Sequence, residues 1–165
     1  MKVLIVAGLC LGAVLGMVGT MVTDPAVRAV SWGVDSVGLI VATALLALHY
    51  FRRNEDFVAA GFLVYAIGES VMLSGTAATL EASVPAFAAG TALWSAALLL
   101  TSVPTQFAFW SRLAGMIAAL LFATVSLRIF AGAHLTPISS PLPFFAYPFL
   151  VLTFVGWIWA TVKTD

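Results

Sequence analysis

Charge is what this sequence has least of: Asp, Glu, Lys and Arg together make up 8% of its 165 residues. Soluble domains carry about a quarter, so an ordinary soluble domain is excluded. The seven basic and seven acidic residues cancel, which leaves no electrostatic basis for binding nucleic acid. The one cysteine, Cys10, excludes an internal disulfide, and no Cys/His spacing is typical of a zinc or iron–sulfur site. We therefore expect no metal, no other cofactor and no nucleic-acid partner.

Apolar residues dominate instead, at 62% of the chain with a mean hydropathy of +1.11. A membrane-spanning helix uses about 20 apolar residues, and proline, turn or charge signals separate runs of about that length. The sequence therefore predicts an all-α fold, a polytopic transmembrane helical bundle that forms a single domain over residues 1–165 with no soluble domain. The six predicted spans cover residues 3–22, 31–51, 57–76, 85–102, 110–130 and 144–162.

The basic residues predict an orientation, because cytoplasmic loops carry an excess of Lys and Arg. Five of them fall on the side of the two termini and two on the other side, so both termini are expected in the cytoplasm. Compactness favours a bacterial inner membrane as the location. The five are Lys2, Arg52, Arg53, Arg112 and Lys163, and the two are Arg28 and Arg128.

Four glycines lie on one face of the first span, at spacings of four, four and three residues. Small residues at this spacing let another helix backbone approach closely, which is a main source of helix association in lipid. Gly8, Gly12, Gly16 and Gly19 therefore predict either packing inside the bundle or an interface between copies of the chain. A cleaved signal peptide is the alternative for this segment, but its cleavage-site residues are poor and we expect it to be retained.

Glu69 is an ionisable residue in the third span, on a stripe of small and polar residues that includes Tyr65. An ionisable group inside a membrane is costly unless it is paired, hydrated or protonated, so Glu69 is expected to face the bundle interior or a water-filled cavity. At about 1.5 Å per residue, Asp35 is predicted about 6 Å from the outer start of span two. Arg128 in span five falls at a similar level, so three charges converge in the outer half.

Two interpretations of these charges remain open. In the first, Asp35, Glu69 and Arg128 form a packed ion-pair network that fixes three helices. In the second, Glu69, Asp35, Arg128 and Tyr65 form a substrate- or ion-binding site open to the outer face. His49 and His134 are predicted near opposite membrane faces, which argues against a shared haem or metal.

The expected function is binding or transport of a small solute or ion, with proton linkage as one form of it. The alternative is a non-catalytic accessory or scaffold subunit of a larger membrane complex. A third hypothesis, a membrane-embedded enzyme or a lipid- or quinone-binding module, uses Tyr147, Trp94 and Arg128. No Ser/His/Asp arrangement or other catalytic motif is present, which disfavours an enzyme. The expected partners are membrane lipids, with a second copy or a larger complex as further candidates.

Overall fold

The computed structural model describes residues 1–76 and 79–163. Throughout these two ranges the regular structure is helical, without a strand, and six helices are long and apolar enough to cross a membrane. This confirms the predicted all-α bundle of six spans. The helices are α1 (Lys2–Met21), α2 (Pro25–Phe51), α3 (Asp56–Gly75), α4 (Val84–Ser102), α5 (Phe109–Phe130) and α6 (Tyr147–Lys163), the last preceded by one 3-10 turn (Phe144–Ala146).

The start of α2 differs most from the prediction, because the helix begins at Pro25 rather than near Ser31. The Asp24 side chain accepts hydrogen bonds from the backbone N–H groups of Ala26 and Val27, both at 2.9 Å. Proline is well suited to the first helical position, where no N–H is needed. Asp24 and Pro25 therefore start α2 as well as following α1. Because the helix starts earlier, Asp35 lies about 15 Å from its start rather than the predicted distance of about 6 Å.

The six helices pack in chain order, and α1 also packs on α6, which closes them into a ring. Neighbours are antiparallel, because early residues of one helix lie against late residues of the next. We call the end of the bundle that holds Lys2 and Lys163 the terminal face and the opposite end the distal face. Two contacts for each helix pair show this order: Gly8 with Gly38 and Gly19 with Trp32, Ser36 with Glu69 and Tyr50 with Phe62, Gly61 with Thr101 and Gly75 with Ala86, Gly115 with Ser102 and Ser95 with Ala119, and Gly156 with Ser111 and Phe122 with Tyr147.

The glycine face of α1 packs against α2 within the chain. A side chain at Gly8 would collide with the backbone carbonyl of Gly38, and one at Gly19 would collide with Trp32. Gly12 likewise lies against the Leu39 side chain. This face is therefore covered by α2. The oligomer interpretation of these glycines requires a face that is free to receive a second copy, and this face is not free.

Aromatic side chains fill the centre of the ring near the terminal face. The ring of Phe62 lies 4.8 Å from Trp157, 5.6 Å from Tyr50 and 6.1 Å from Phe107, measured between centroids. All four side chains are buried. Aromatic pairs at such distances pack favourably, and we call this group, Tyr50, Phe62, Phe107 and Trp157, the aromatic plug.

A carboxyl-lined cavity as candidate functional site

A cavity of about 470 Å³ occupies the distal half of the bundle. Its outer part is lined by residues at helix ends, including Thr20, Pro25 and Gly75. Its wall continues inward to Leu39, which lies about 20 Å along α2 from Pro25. Lining residues come from α1, α2, α3, α4, α6 and the adjoining loops, and within residues 1–76 and 79–163 none comes from α5.

Glu69 on α3 lies in the wall of this cavity with 2% of its surface exposed. The Ser36 hydroxyl on α2 donates a hydrogen bond of 2.6 Å to Glu69 Oε1. The other oxygen, Oε2, has no hydrogen-bond partner among the residues that the structure describes. The Trp94 indole N–H is close to the Glu69 carboxyl group, but the contact falls short of hydrogen-bond geometry. Within the described residues, Ser36 is thus the one side chain that donates a hydrogen bond to this carboxyl group.

Asp35 is the second buried carboxyl group in the same wall, one residue before Ser36. Its Oδ2 atom lies 3.0 Å from the position that a Cβ atom would take at Gly16, so the absence of a side chain there makes room for the carboxyl group. Asp35 Oδ1 has no hydrogen-bond partner in the described part of the chain. Asp35 and Glu69 interact electrostatically. Two acidic groups therefore share one cavity, each with an unpartnered oxygen.

Aromatic residues form much of the remaining wall. Trp94 lines the cavity, and the ring of Tyr65 stacks behind it with centroids 5.4 Å apart and planes at 7°. Tyr65 is completely buried and does not itself line the cavity. On α6, Tyr147 lines the cavity and donates its hydroxyl proton to the Pro137 carbonyl at 2.9 Å. The predicted site residue Tyr65 therefore supports the wall through Trp94 instead of facing the cavity.

Among the described residues that line the cavity, Arg28 is the one basic residue, and it lies near the distal face. Its guanidinium group donates to the carbonyl oxygens of Gly19 at 3.3 Å and Val22 at 2.5 Å. It also lies 5.9 Å from the centre of the Trp32 ring. A cation at these carbonyls stabilises the C-terminal end of α1. Arg28 is thus engaged at the end of a helix rather than with the two carboxyl groups.

The structure does not bring Arg128 to this site. Arg128 is exposed, lies two residues before the end of α5 and is outside the cavity wall. The ion-pair network predicted for Asp35, Glu69 and Arg128 is therefore not formed. Arg128 does lie in the distal half, as the two carboxyl groups do. The buried face of α5, however, follows Ala118, Phe122 and Val125, and Arg128 is turned away from it.

Sequence reasoning missed four lining residues as parts of one site with the carboxyl groups: Ser36, Trp32, Trp94 and Tyr147. Trp94 carried a usable signal, because a tryptophan in mid-span needs a polar neighbour for its N–H. His49 lies near the terminal face, while His134 is exposed in a distal loop. In the described ranges no group of three or more His, Cys, Asp or Glu side chains is placed to hold a metal ion.

These features define a class: a multi-pass helical membrane protein with a carboxyl-lined cavity in one half of its bundle. Neither a protein-family model, nor a curated protein sequence, nor a solved structure matches the chain. The function of the cavity is therefore argued from its own geometry.

Proposed function

We propose that this protein binds a small solute or ion at Asp35 and Glu69 and carries it across the membrane. The observation that carries the proposal is the pair of buried carboxyl groups, each with an unpartnered oxygen, in the wall of one cavity. Ionisable groups inside membrane proteins are costly and are typical of substrate and ion pathways. A proton or a cation bound at the pair would supply the missing partner.

The cavity also distinguishes this proposal from a scaffold role. A scaffold subunit is expected to have a filled bundle and an exposed face of small residues. Here the cavity reaches Glu69, and the glycine face of α1 is covered by α2. Binding therefore explains the distal half better than scaffolding does.

Access to the site is proposed from the distal face, because the buried rings of the aromatic plug lie between the cavity and the terminal face. A second, more open pocket at the terminal face, lined by Tyr50 and Lys163 among others, lies on the other side of the plug. The basic residues favour the terminal face as the cytoplasmic side, so the cavity mouth is proposed to open outside the cell or, in a bacterial inner membrane, on the periplasmic side. Transport to the other side would require Phe62 and its aromatic neighbours to move apart.

A ligand panel tests the proposal with the purified protein in an uncharged detergent. The panel contains inorganic cations, organic cations, anions and a series of pH values, and thermal stability is the measurement. At least one class should raise the melting temperature of the wild type, since a ligand that binds only the folded state stabilises it. The increase should be lost in Glu69→Gln and Asp35→Asn and retained in the control Asp56→Asn, which changes an exposed carboxyl group at the terminal face.

A second measurement keeps the proposal testable if these variants do not fold. Dicyclohexylcarbodiimide reacts with protonated carboxyl groups in apolar surroundings, and the adduct is located by mass spectrometry. We expect modification at Glu69 or Asp35 and protection by the stabilising ligand. A protein that no class stabilises, and whose two carboxyl groups stay unmodified, would leave the scaffold as the better hypothesis.

A further inference from the structure

The chemistry of the cavity wall identifies a class of ligand. The deep part combines the two carboxyl groups with large apolar and aromatic side chains. These apolar and aromatic residues are Leu39, Met72, Trp94, Leu150 and Phe154. A ligand that satisfies both parts needs a positive charge and an apolar body.

An anion is disfavoured by the charges in the wall. Asp35 and Glu69 face the cavity, whereas the cationic lining residue, Arg28, is bound to the carbonyl oxygens at the end of α1. An anion beside Asp35 and Glu69 would find no free cationic side chain in the described wall. It would also be repelled by either carboxyl group in its ionised form, in surroundings of low dielectric constant.

A bare metal ion is disfavoured by the shortage of oxygen ligands. Calcium takes about six to eight oxygen atoms, and magnesium needs near-octahedral coordination. Within the described residues, the fully buried carboxyl oxygens without a partner are Asp35 Oδ1 and Glu69 Oε2, and the Ser36 hydroxyl is engaged with Glu69 Oε1. In the part of the chain that the structure describes, no third carboxyl, histidine or cysteine completes such a group.

The size of the cavity also favours an organic ligand over an inorganic ion. The cavity of about 470 Å³ lies within the range of about 300–1,000 Å³ that small-molecule sites occupy. An inorganic ion would fill only a small part of this volume and would leave the apolar wall without contact. Aromatic rings, in contrast, attract the positive charge of organic cations.

We infer that the cavity binds a lipophilic organic monocation, an amine or quaternary ammonium compound, with its charge at Asp35 and Glu69 and its apolar body against the aromatic wall. This inference rests on the proposed function. The proposed function does not specify the chemical class of the ligand, and the inference adds it.

The probe is benzyltrimethylammonium, compared with neopentylbenzene, its neutral carbon isostere of nearly the same shape. Binding to the wild-type protein is measured by calorimetry in an uncharged detergent, with binding to empty micelles subtracted. We expect the cation to bind about tenfold or more tightly than the isostere, because removing one partner of a buried charge pair costs at least that much affinity. Equal binding of the two probes would overturn the inference.

Variants of the cavity wall test whether the charge of the ligand lies at Asp35 and Glu69. Glu69→Gln and Asp35→Asn should each weaken benzyltrimethylammonium binding by about tenfold or more, while Asp56→Asn leaves it unchanged. Ala29→Trp is an independent variant, because Ala29 lines the cavity and an indole there takes up volume without removing a carboxyl group. It should weaken binding of the cation as well. Unchanged binding in all three cavity variants would place the cation elsewhere and overturn the inference.

Sodium, potassium, calcium, magnesium and benzenesulfonate complete the comparison. If one of these ions binds in a manner that requires Glu69 while benzyltrimethylammonium does not bind, the proposed function stands and the inference fails. If none of the probes binds and dicyclohexylcarbodiimide leaves both carboxyl groups unmodified, both the inference and the proposed function fail.

Discussion

The two halves of this bundle are built from the same six helices but are filled differently. In the terminal half, the rings of Tyr50, Phe62, Phe107 and Trp157 meet in the centre. In the distal half, residues of α1, α2, α3, α4 and α6 line a cavity of about 470 Å³. Side-chain size alone does not explain the difference, because the distal wall also carries large aromatic residues, among them Trp32, Trp94 and Phe154. Nor does helix arrangement alone determine whether a membrane bundle is open or filled.

Buried carboxyl groups also distinguish the halves, although hydroxyl groups such as those of Thr101 and Ser102 are buried in the terminal half. Both buried carboxyl groups line the cavity, and Asp35 Oδ1 and Glu69 Oε2 have no partner in the described ranges. The plug consists of aromatic side chains, of which Tyr50 is 8% exposed and Phe62 is fully buried. The proposed site would therefore be reached from the distal face, because the buried rings of the aromatic plug lie on its terminal side.

The largest expected effect is the all-or-none labelling of single cysteines, which reports the side of the membrane that each half of the bundle faces. In a Cys10→Ala background, Glu81→Cys places a thiol near the distal face and Asp56→Cys places one at the terminal face; both residues are exposed. A membrane-impermeant maleimide added to intact cells should label only Glu81→Cys, and Asp56→Cys should react after permeabilisation. The reverse pattern would show that the cavity opens to the cytoplasm.

The next effect tests whether the plug, and not the cavity wall, stabilises the bundle. Phe62→Ala removes a fully buried ring that contacts three plug side chains, and we expect a loss of about 3 kcal/mol in the free energy of unfolding. Met72→Ala enlarges a cavity that already exists and should cost clearly less. Reversible unfolding in mixed micelles measures both, and equal losses would mean that the two halves are packed alike.

The sequence predicted the six spans well because each is a long apolar run between turn or charge signals. The start of α2 was wrong because Asp24 and Pro25 read equally well as the end of one helix and the start of the next. Glu69 was singled out correctly as a buried group, since its cost in lipid depends on residue type and depth. The cavity was not predictable in detail, because its shape depends on how side chains from five helices meet.

A smaller effect concerns the contact between α1 and α2, which forms one wall of the open half. Gly8→Leu would drive a branched side chain into the Gly38 carbonyl group, and such overpacking costs about 2 kcal/mol. Gly33→Leu is the matched control, because nothing lies within 4 Å of a Cβ atom at Gly33. Thermal unfolding in detergent compares them. Equal melting temperatures for the two variants would contradict the close approach of α1 and α2.

The smallest expected effect separates α5 from the cavity. Arg128→Gln should change the free energy of unfolding by less than about 0.5 kcal/mol, because the side chain is exposed and outside the cavity wall. Arg112→Gln is the comparison: Arg112 donates to the carbonyl oxygens of Ser102 at 2.8 Å and Val103 at 2.7 Å, and losing these bonds should cost about 1 kcal/mol. Reversible unfolding measures both variants. If Arg128→Gln is instead as costly as Glu69→Gln, and the double variant recovers part of the loss, the two side chains are coupled and α5 belongs to the site after all.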